Sequence, residues 1–327
     1  MLQAGEDAEI PSLWIKRDDL TGTVYGGNKV RKLEFLLADA QAKGHEQVWT
    51  VGAIGSNHAL ATCLYARQVG LEPAVLHYPQ PVTEHVLHNL KAISTADPDF
   101  TLASNFASVS YEMAKRKVKE WLATGDNPYY IPAGGSSPHG VLGYVNAALE
   151  LADQIDAGEC PEPDYIFVAA GTCGTLSGLI LGAKMAGLDT RVVGIRVVDK
   201  VITNVPNTRR LANGAASLLE DCGVSDVPRV TGDDVLLLSD YFGEGYGEST
   251  VDGLEAIHML EELEELYLEP TYTGKAFAGL LGERENLELH SKDVMYWHTL
   301  SSADLSDRIA TVDPTRDLPE DYQQFFK

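Results

Sequence analysis

No apolar run in this 327-residue chain approaches the ~20 residues that a membrane span requires. The opening stretch MLQAGEDAEIPS carries neither the basic nor the apolar part of a signal peptide. A soluble, cytoplasmic protein with no membrane partner is expected. Cysteine is scarce: Cys63, Cys160, Cys173 and Cys222 are widely spread and form no CxxC pair, which excludes a disulfide scaffold and a zinc site and implies free thiols and no metal. Basic residues are also few, 25 Lys and Arg against 48 Asp and Glu, a formal charge of −23. Such a balance argues against nucleic acid as a partner and reads as a solvated acidic surface. It also sets a requirement. A dianionic phosphate would be repelled at long range, so any that binds must be held by local backbone donors and a helix N-terminus.

Hydrophobic residues make up 44% of the chain, ample for a large core in one big domain or in two that share an interface. Short β-rich runs recur as QVWTVGA, PAVLHYP, PYYIPA, DYIFVAAG, RVVGIRVV and DVMYWHT, most of them separated by stretches of helical periodicity. That alternation indicates an α/β protein with largely parallel sheets. Between Lys29 and Gly44, the residues Val30, Leu33, Leu36, Leu37 and Ala40 share one helical face, with Arg31, Lys32, Glu34 and Asp39 mostly elsewhere. A second helix is expected from Asn57 to Val69 with Ser56 as its N-cap, and a third, LSGLILGAKMAG, ends near Gly187. HMLEELEELYLEP reads as an acidic surface helix stopped by Pro270, and the last twenty or so residues as a loosely attached tail. There is no internal repeat or low-complexity linker.

Four places could carry chemistry. Lys29 directly follows the turn-forming Gly26-Gly27-Asn28 at a helix start, although a lysine so placed is ordinarily a solvated surface residue. Gly171-Thr172-Cys173-Gly174-Thr175 follows an apolar strand and precedes a helix, the arrangement that points several N–H groups at an anion. Its glycine spacing is not that of a dinucleotide loop, and it lacks the Walker lysine; a plain tight turn is the alternative. Ser56-Asn57-His58 could orient a carboxylate or a phenolic oxygen, or could simply open a helix. Tyr246 and Tyr272 lie beside glycines that shield a phenol poorly, and a tyrosine with an ordinary pKa near ~10 needs a neighbour to act as a base.

Taken in order, IKRDDLTG with GGNKVRKLEF, then GAIGSNH, IPAGGSSPHGVLGYV, AAGTCGTLSGL, GEGYG and EPTYTGKAFAGL resemble the family of 1-aminocyclopropane-1-carboxylate deaminase and D-cysteine desulfhydrase. These are pyridoxal-phosphate enzymes of fold type II, like the tryptophan synthase β chain, and the resemblance runs from about Trp14 to Thr299. It implies two open, twisted, mostly parallel sheets flanked by helices, with the cofactor between a large domain, residues 1–32 and 146–327, and a small domain, residues 33–145. It further implies that Lys29 holds pyridoxal phosphate as a Schiff base and shuttles the substrate's α-proton, with Asn28 close to the cofactor. Asn57 matches a residue near the ring oxygen, and Ser56 and His58 match residues that meet the substrate carboxylate or assist proton transfer. Gly171 to Thr175 match the phosphate loop, Tyr246 and Tyr272 the paired active-site tyrosines, and Thr273 the position facing the pyridine nitrogen. A homodimer acting on a small amino acid is expected.

Substrate choice turns on a few positions. Members that open the cyclopropane ring typically carry glutamate and leucine where this chain has Thr273 and Thr299, whereas desulfhydrase-type members carry threonine at both. A neutral Thr273 would leave the ring a weaker electron sink and favour prompt expulsion of a β-leaving group. β-Elimination from D-cysteine, giving pyruvate, ammonia and sulfide, is therefore the first expectation. The alternative is ring opening to 2-oxobutyrate and ammonia. A protein that binds pyridoxal phosphate without turnover is a third reading, and a nicotinamide-dependent dehydrogenase, suggested only by strand-glycine-helix alternation, a fourth. Three departures from the family pattern stand out: Gly55 for the usual glutamine, Leu300-Ser301 for a glycine pair, and the lack of a short segment before the IKRDD strand.

Overall fold

A computed structural model describes residues 3–125 and 127–326. The chain divides into two compact units, the first made of Met1–Lys32 and Ser136–Ser302, the second of Leu33–Gly135 and Ala303–Lys327.

The first unit is built on a five-stranded sheet, with β1 Ser12–Arg17, β6 Tyr165–Ala170, β7 Arg191–Arg196, β8 Leu236–Leu238 and β9 Asp293–His298. Its order is β1-β9-β6-β7-β8, and every pairing is parallel. Parallel strands need helical crossovers, which cover both faces and make the strands apolar on each side. β6 shows this directly. Ile166, Val168 and Ala170 pack with residues of the helices Pro138–Asp156, Gly174–Ala186 and Val205–Asp221. Phe167 and Ala169 pack on the opposite core, with residues of the helices Val251–Glu264 and Thr273–Gly282.

Glycines bring three helices of this unit unusually close. A Cβ on Gly178 would lie 2.3 Å from Tyr144 Cβ and 2.6 Å from the Val141 carbonyl oxygen, and one on Gly143 would lie 2.0 Å from the Arg31 carbonyl oxygen. The contact atoms are largely backbone and cannot move aside. Gly178→Val is therefore expected to destabilise the protein by roughly 3 kcal/mol, a fall in melting temperature on the order of 10 °C. Calorimetry checks it, and an unchanged midpoint would rule out this close packing.

The second unit holds a four-stranded parallel sheet, with β2 Gln47–Ala53, β3 Glu72–Tyr78, β4 Asp99–Leu102 and β5 Tyr129–Ile131 in the order β4-β3-β2-β5. The chain enters this unit within the helix Asn28–Ala42, after Lys32. It leaves at Gly135–Ser136, just before Ser137 caps the helix Pro138–Asp156 by accepting the Gly140 N–H. Residues 136–145 thus belong with the first unit and not with 33–135. The C-terminal segment also differs from expectation. It is no loose tail, because Leu318 and Tyr322 are buried with Ile54, Val86 and Leu90, and the Tyr322 hydroxyl donates to the Thr101 carbonyl at 3.0 Å. Residues 303–327 accordingly belong to the second unit.

Two further expectations shift. The acidic helix Val251–Glu264 stops at Glu265 in the left-handed region, before Pro270, because Leu266 and Leu268 turn inward to the core. Lys32, placed by periodicity off the apolar face, is 2% exposed.

Candidate active site

The position of Lys29 is set by its approach loop. Gly26 and Gly27 are required there by contact and by dihedral: a Cβ on Gly26 would sit 1.9 Å from the Asp19 carbonyl oxygen, and Gly27 has φ +87° with the Thr299 carbonyl oxygen 2.7 Å from its Cβ position. The Gly27 N–H donates to the Asp18 carbonyl at 2.7 Å and the Asn28 N–H to that of Thr299 at 3.1 Å. Ser301, one of the departures from the family pattern, braces the same loop, its Oγ accepting the Gly26 N–H at 2.8 Å. Below the loop, the buried Asp18 carboxylate accepts from Arg31 Nε at 2.8 Å, from Trp297 Nε1 at 2.7 Å and from the Tyr144 hydroxyl. These bonds tie the first turn of the lysine helix to β9 and to the helix Pro138–Asp156.

Lys29 Nζ donates to Asn28 Oδ1 at 2.9 Å, and Asn28 Nδ2 donates to Thr175 Oγ1 at 3.1 Å. The lysine is thereby linked through one side chain to the glycine-rich loop at 171–175. Although Lys29 as a residue is half-buried, loss of water around its amine pushes the group down to about 8, with the negative charge of Glu269 opposing the shift.

The loop itself has the form of an anion cradle. Cys173 adopts φ +68°, a left-handed conformation that L side chains avoid, immediately before the helix Gly174–Ala186. A left-handed residue just ahead of a helix N-terminus is the kind of turn that can present successive N–H groups to an anion. A Cβ on Gly174 would lie 2.5 Å from Ser136 Oγ and 3.0 Å from Lys32 Nζ, so the glycine is what leaves the hollow open. Ser136 Oγ and Thr172 Oγ1 are 2.7 Å apart, and the Thr203 hydroxyl donates to the Gly171 carbonyl. The Lys32 amine is driven well below its ordinary pKa, first by burial and then by the charge of Lys29. A buried lysine beside an N–H-lined hollow fits a phosphate dianion, which would restore its charge. Lys32 and Ser136 went unnoticed in the sequence, since one looks like a polar-face lysine and the other like a loop serine.

Tyr246 and Tyr272 are brought together, with hydroxyl oxygens 2.5 Å apart and ring centroids 6.0 Å apart. Although Tyr246 as a residue is 36% exposed, loss of water around its hydroxyl pushes the phenol up, the hydrogen bond with Tyr272 opposes this and the Glu269 charge adds to it. Thr273 is buried, and its Oγ1 accepts the Glu269 N–H at 2.8 Å and lies 3.2 Å from Glu269 Oε1. Its hydroxyl is thus engaged by Glu269.

In the second unit, Ser56 is the N-cap of the helix Asn57–Gln68, its Oγ accepting the Ala59 N–H at 3.2 Å. Asn57 Oδ1 accepts from Asn89 Nδ2 at 2.7 Å, and Asn89 Nδ2 also donates to the Gly55 carbonyl at 2.9 Å. A Cβ on Gly55 would lie 2.8 Å from Val86 Cα, so Val86 occupies the space where a longer residue's side chain would begin. His58 is 3% exposed with Nε2 2.9 Å from Thr50 Oγ1, which itself donates to the Ile131 carbonyl. That places the imidazole in the unit's interior, against β2 at the start of the helix.

Among the described residues, no group of three or more His, Cys, Asp or Glu side chains could hold a metal ion, and no helix is long and apolar enough to cross a membrane. Comparison with known proteins identifies the family. The family profile for "Pyridoxal-phosphate dependent enzyme" matches residues 2–299. A relative from Pyrococcus horikoshii, described as a "Putative 1-aminocyclopropane-1-carboxylate deaminase", is 40% identical over 292 residues, covering 88% of this chain and 83% of the relative. A crystal structure described as that of an ACC deaminase homologue superimposes with a TM-score of 0.78 at 33% identity, over 94% of this chain and 90% of that one. A threonine deaminase isoform from Solanum lycopersicum, 16% identical with a TM-score of 0.64 over 95% of this chain and 86% of its own, shares the fold.

Proposed function

The chain belongs to the pyridoxal-phosphate dependent enzymes, and on that premise we propose that it is a lyase that deaminates a small amino acid, with Lys29 as the residue that carries the cofactor. The observation that supports this most is the chain of contacts from Lys29 Nζ through Asn28 to Thr175 of the anion loop. It couples an amine suited to an aldehyde with a hollow suited to a phosphate.

When bound, pyridoxal phosphate supplies a conjugated ring that accepts the electron pair left as a proton departs from the substrate's Cα. Lys29 would hold the cofactor by its aldehyde carbon through Nζ. An amine with a pKa of about 8 is roughly one-tenth neutral at pH 7, against well under ~0.1% for an ordinary lysine, so it can add to a carbonyl and take up a proton. The N–H groups around Cys173 and Gly174, with Lys32, would hold the phosphate. Tyr246 and Tyr272 share one hydrogen bond, so one hydroxyl donates and the other is left to give or take a proton at the leaving atom. Ser56 and Asn57 are assigned to the substrate carboxylate and the ring oxygen on the match of GAIGSNH.

The engaged, neutral hydroxyl of Thr273 offers no carboxylate to keep a proton on the ring nitrogen, which supports loss of a good leaving group. We therefore place β-elimination from D-cysteine or a related β-substituted amino acid first, giving pyruvate, ammonia and sulfide with uptake of one water. Ring opening of 1-aminocyclopropane-1-carboxylate to 2-oxobutyrate and ammonia is the second reading, favoured by the descriptions of two relatives. A panel of D- and L-amino acids and the cyclopropane substrate, assayed for 2-oxo acid, ammonia and sulfide, separates them. Sulfide with pyruvate from D-cysteine supports the first. Release of 2-oxobutyrate alone would replace it with the second, and inertness towards every substrate by a protein that holds the cofactor would reject both.

A further inference from the structure

We propose that Lys275 is a positioning residue: its buried ammonium clamps the loop 242–247 so that the Tyr246 hydroxyl meets that of Tyr272. This rests on the reading of the tyrosine pair as part of the active site.

Lys275 is 0% exposed. Its Nζ donates to the Phe242 carbonyl at 2.6 Å, lies 3.5 Å from that of Gly245 and stands 5.4 Å from the centroid of the Phe242 ring. These contacts all fall on the four residues before Tyr246. The loop has little internal support, for residues 239–250 contain neither helix nor strand. Its own backbone bonds are long: 3.5 Å from the Phe242 N–H to the Ser239 carbonyl and 3.4 Å from the Glu248 N–H to that of Gly245. Gly243 and Gly247, at φ +75° and +84°, add further freedom.

Tyr272 is held from the other side of the same segment. Glu269 Oε1 accepts the N–H groups of Tyr272 and Thr273, and Oε2 that of Thr271, each at 2.8 Å. One short stretch, Glu269 to Lys275, therefore fixes both tyrosines, Tyr272 through its backbone and Tyr246 through its loop.

Electrostatics make this an improbable place for a lysine kept only for packing. An ammonium in the first turn of the helix Thr273–Gly282 opposes the helix dipole, and burying it away from water is costly. Burial does lower the Lys275 amine, with the charges of Glu269 and Glu248 working to keep it protonated. An apolar residue would avoid the cost but would leave the loop carbonyls without their donor.

The test compares the cofactor-loaded wild type with Lys275→Met, Tyr246→Phe and the double variant, using the best substrate of the panel above. Lys275→Met is expected to keep the cofactor, to lose about 10²-fold in kcat with little change in KM, and to move the limb of the pH–rate profile that Tyr246→Phe removes. The double variant is expected to be no slower than Tyr246→Phe alone, because a residue that acts through Tyr246 has nothing left to position. Lys275→Gln, one atom shorter but still a donor, should recover part of the rate; if Lys275→Met does not fold, the same cycle run with Lys275→Gln decides the matter. Wild-type kcat in the lysine variant, or losses that multiply in the double variant, would overturn the proposal. A wild type with no borohydride-fixed cofactor on Lys29 would instead sink the functional reading, so the two failures are distinguishable.

Discussion

Lys29→Ala is expected to abolish release of 2-oxo acid and ammonia, a loss exceeding ~10³-fold, because the Lys29 amine is joined through Asn28 to Thr175 of the anion loop and the variant has no amine there to hold the cofactor's aldehyde. Borohydride should fix a cofactor label on the wild type and none on the variant, as read by mass spectrometry of the peptide containing residue 29. Turnover that persisted unchanged would overturn the catalytic assignment. Lys32 lies beside the same loop, 3.0 Å from the position of a Gly174 Cβ, where it is assigned to the phosphate and not to the aldehyde. A second consequence concerns stability. The folded-state pKa of Lys29 lies below the unfolded value, at about 8 against 10.5, so the native state is penalised whenever the amine must be charged. That penalty is complete below pH 8 and fades as pH rises through 10.5, and it amounts to ~3 kcal/mol at most. Lys29→Met should therefore stabilise the cofactor-free protein below pH 8 and stabilise it progressively less above, measurable as a shift in the urea midpoint.

The other large effect falls on His77 in β3. The residue is 0% exposed, and neither ring nitrogen has a hydrogen-bond partner among the described residues. Its surroundings are the rings of Phe100 and Tyr322, at centroid distances of 6.1 and 5.7 Å. Burial alone pushes the imidazole down to about 3 from 6.5. Between those values the unfolded chain binds a proton that the folded chain refuses, so stability falls as pH drops from 6.5 towards 3, by ~1.4 kcal/mol per pH unit from this one group. His77→Leu should match the wild type's trend above pH 7 and be the more stable by ~3 kcal/mol at pH 4, relative to their difference at pH 7. Denaturant midpoints at the two pH values check this; parallel losses in both proteins would show that His77 does not govern the acid limb.

The architecture was legible wherever one side-chain pattern sufficed. QVWTVGA became β2 without a residue's difference, and Ser56 capped its helix as its type suggests. The apolar strand before Gly171 and the helix ending at Gly187 likewise appear as read. Short edge strands escaped notice, β4 and β8 having only 4 and 3 residues, too few to show a period. The acidic helix was misjudged at its end because Pro270 is a visible stop, while the inward pull of Leu266 and Leu268 comes from tertiary packing. Docking of Tyr322 is likewise a long-range event that Asp- and Pro-rich composition conceals.

At the site, Lys29, the 171–175 loop and the two tyrosines stood out only in ordered combination; each alone looks ordinary. Lys32, Ser136, Glu269 and Lys275 did not stand out at all. Lysine and glutamate are taken for surface residues by type, and what makes these matter is burial, which the linear order does not reveal. The contact of the His58 ring with Thr50 is likewise a tertiary one that the linear order does not announce.

The pairing of β1 with β9 joins Ser12–Arg17 to Asp293–His298 and places one strand beside another that is synthesised long after it. While the ribosome is still at work, β6 lacks the neighbour that will lie between it and β1, and Ile54, Val86 and Leu90 lack the cover of Tyr322. Neither unit can be completed in order of synthesis. The nascent chain must therefore keep an open strand edge and an apolar patch from sticking to other chains until β9 and then Tyr322 emerge, and a stop codon ahead of Leu318 would leave that patch bare.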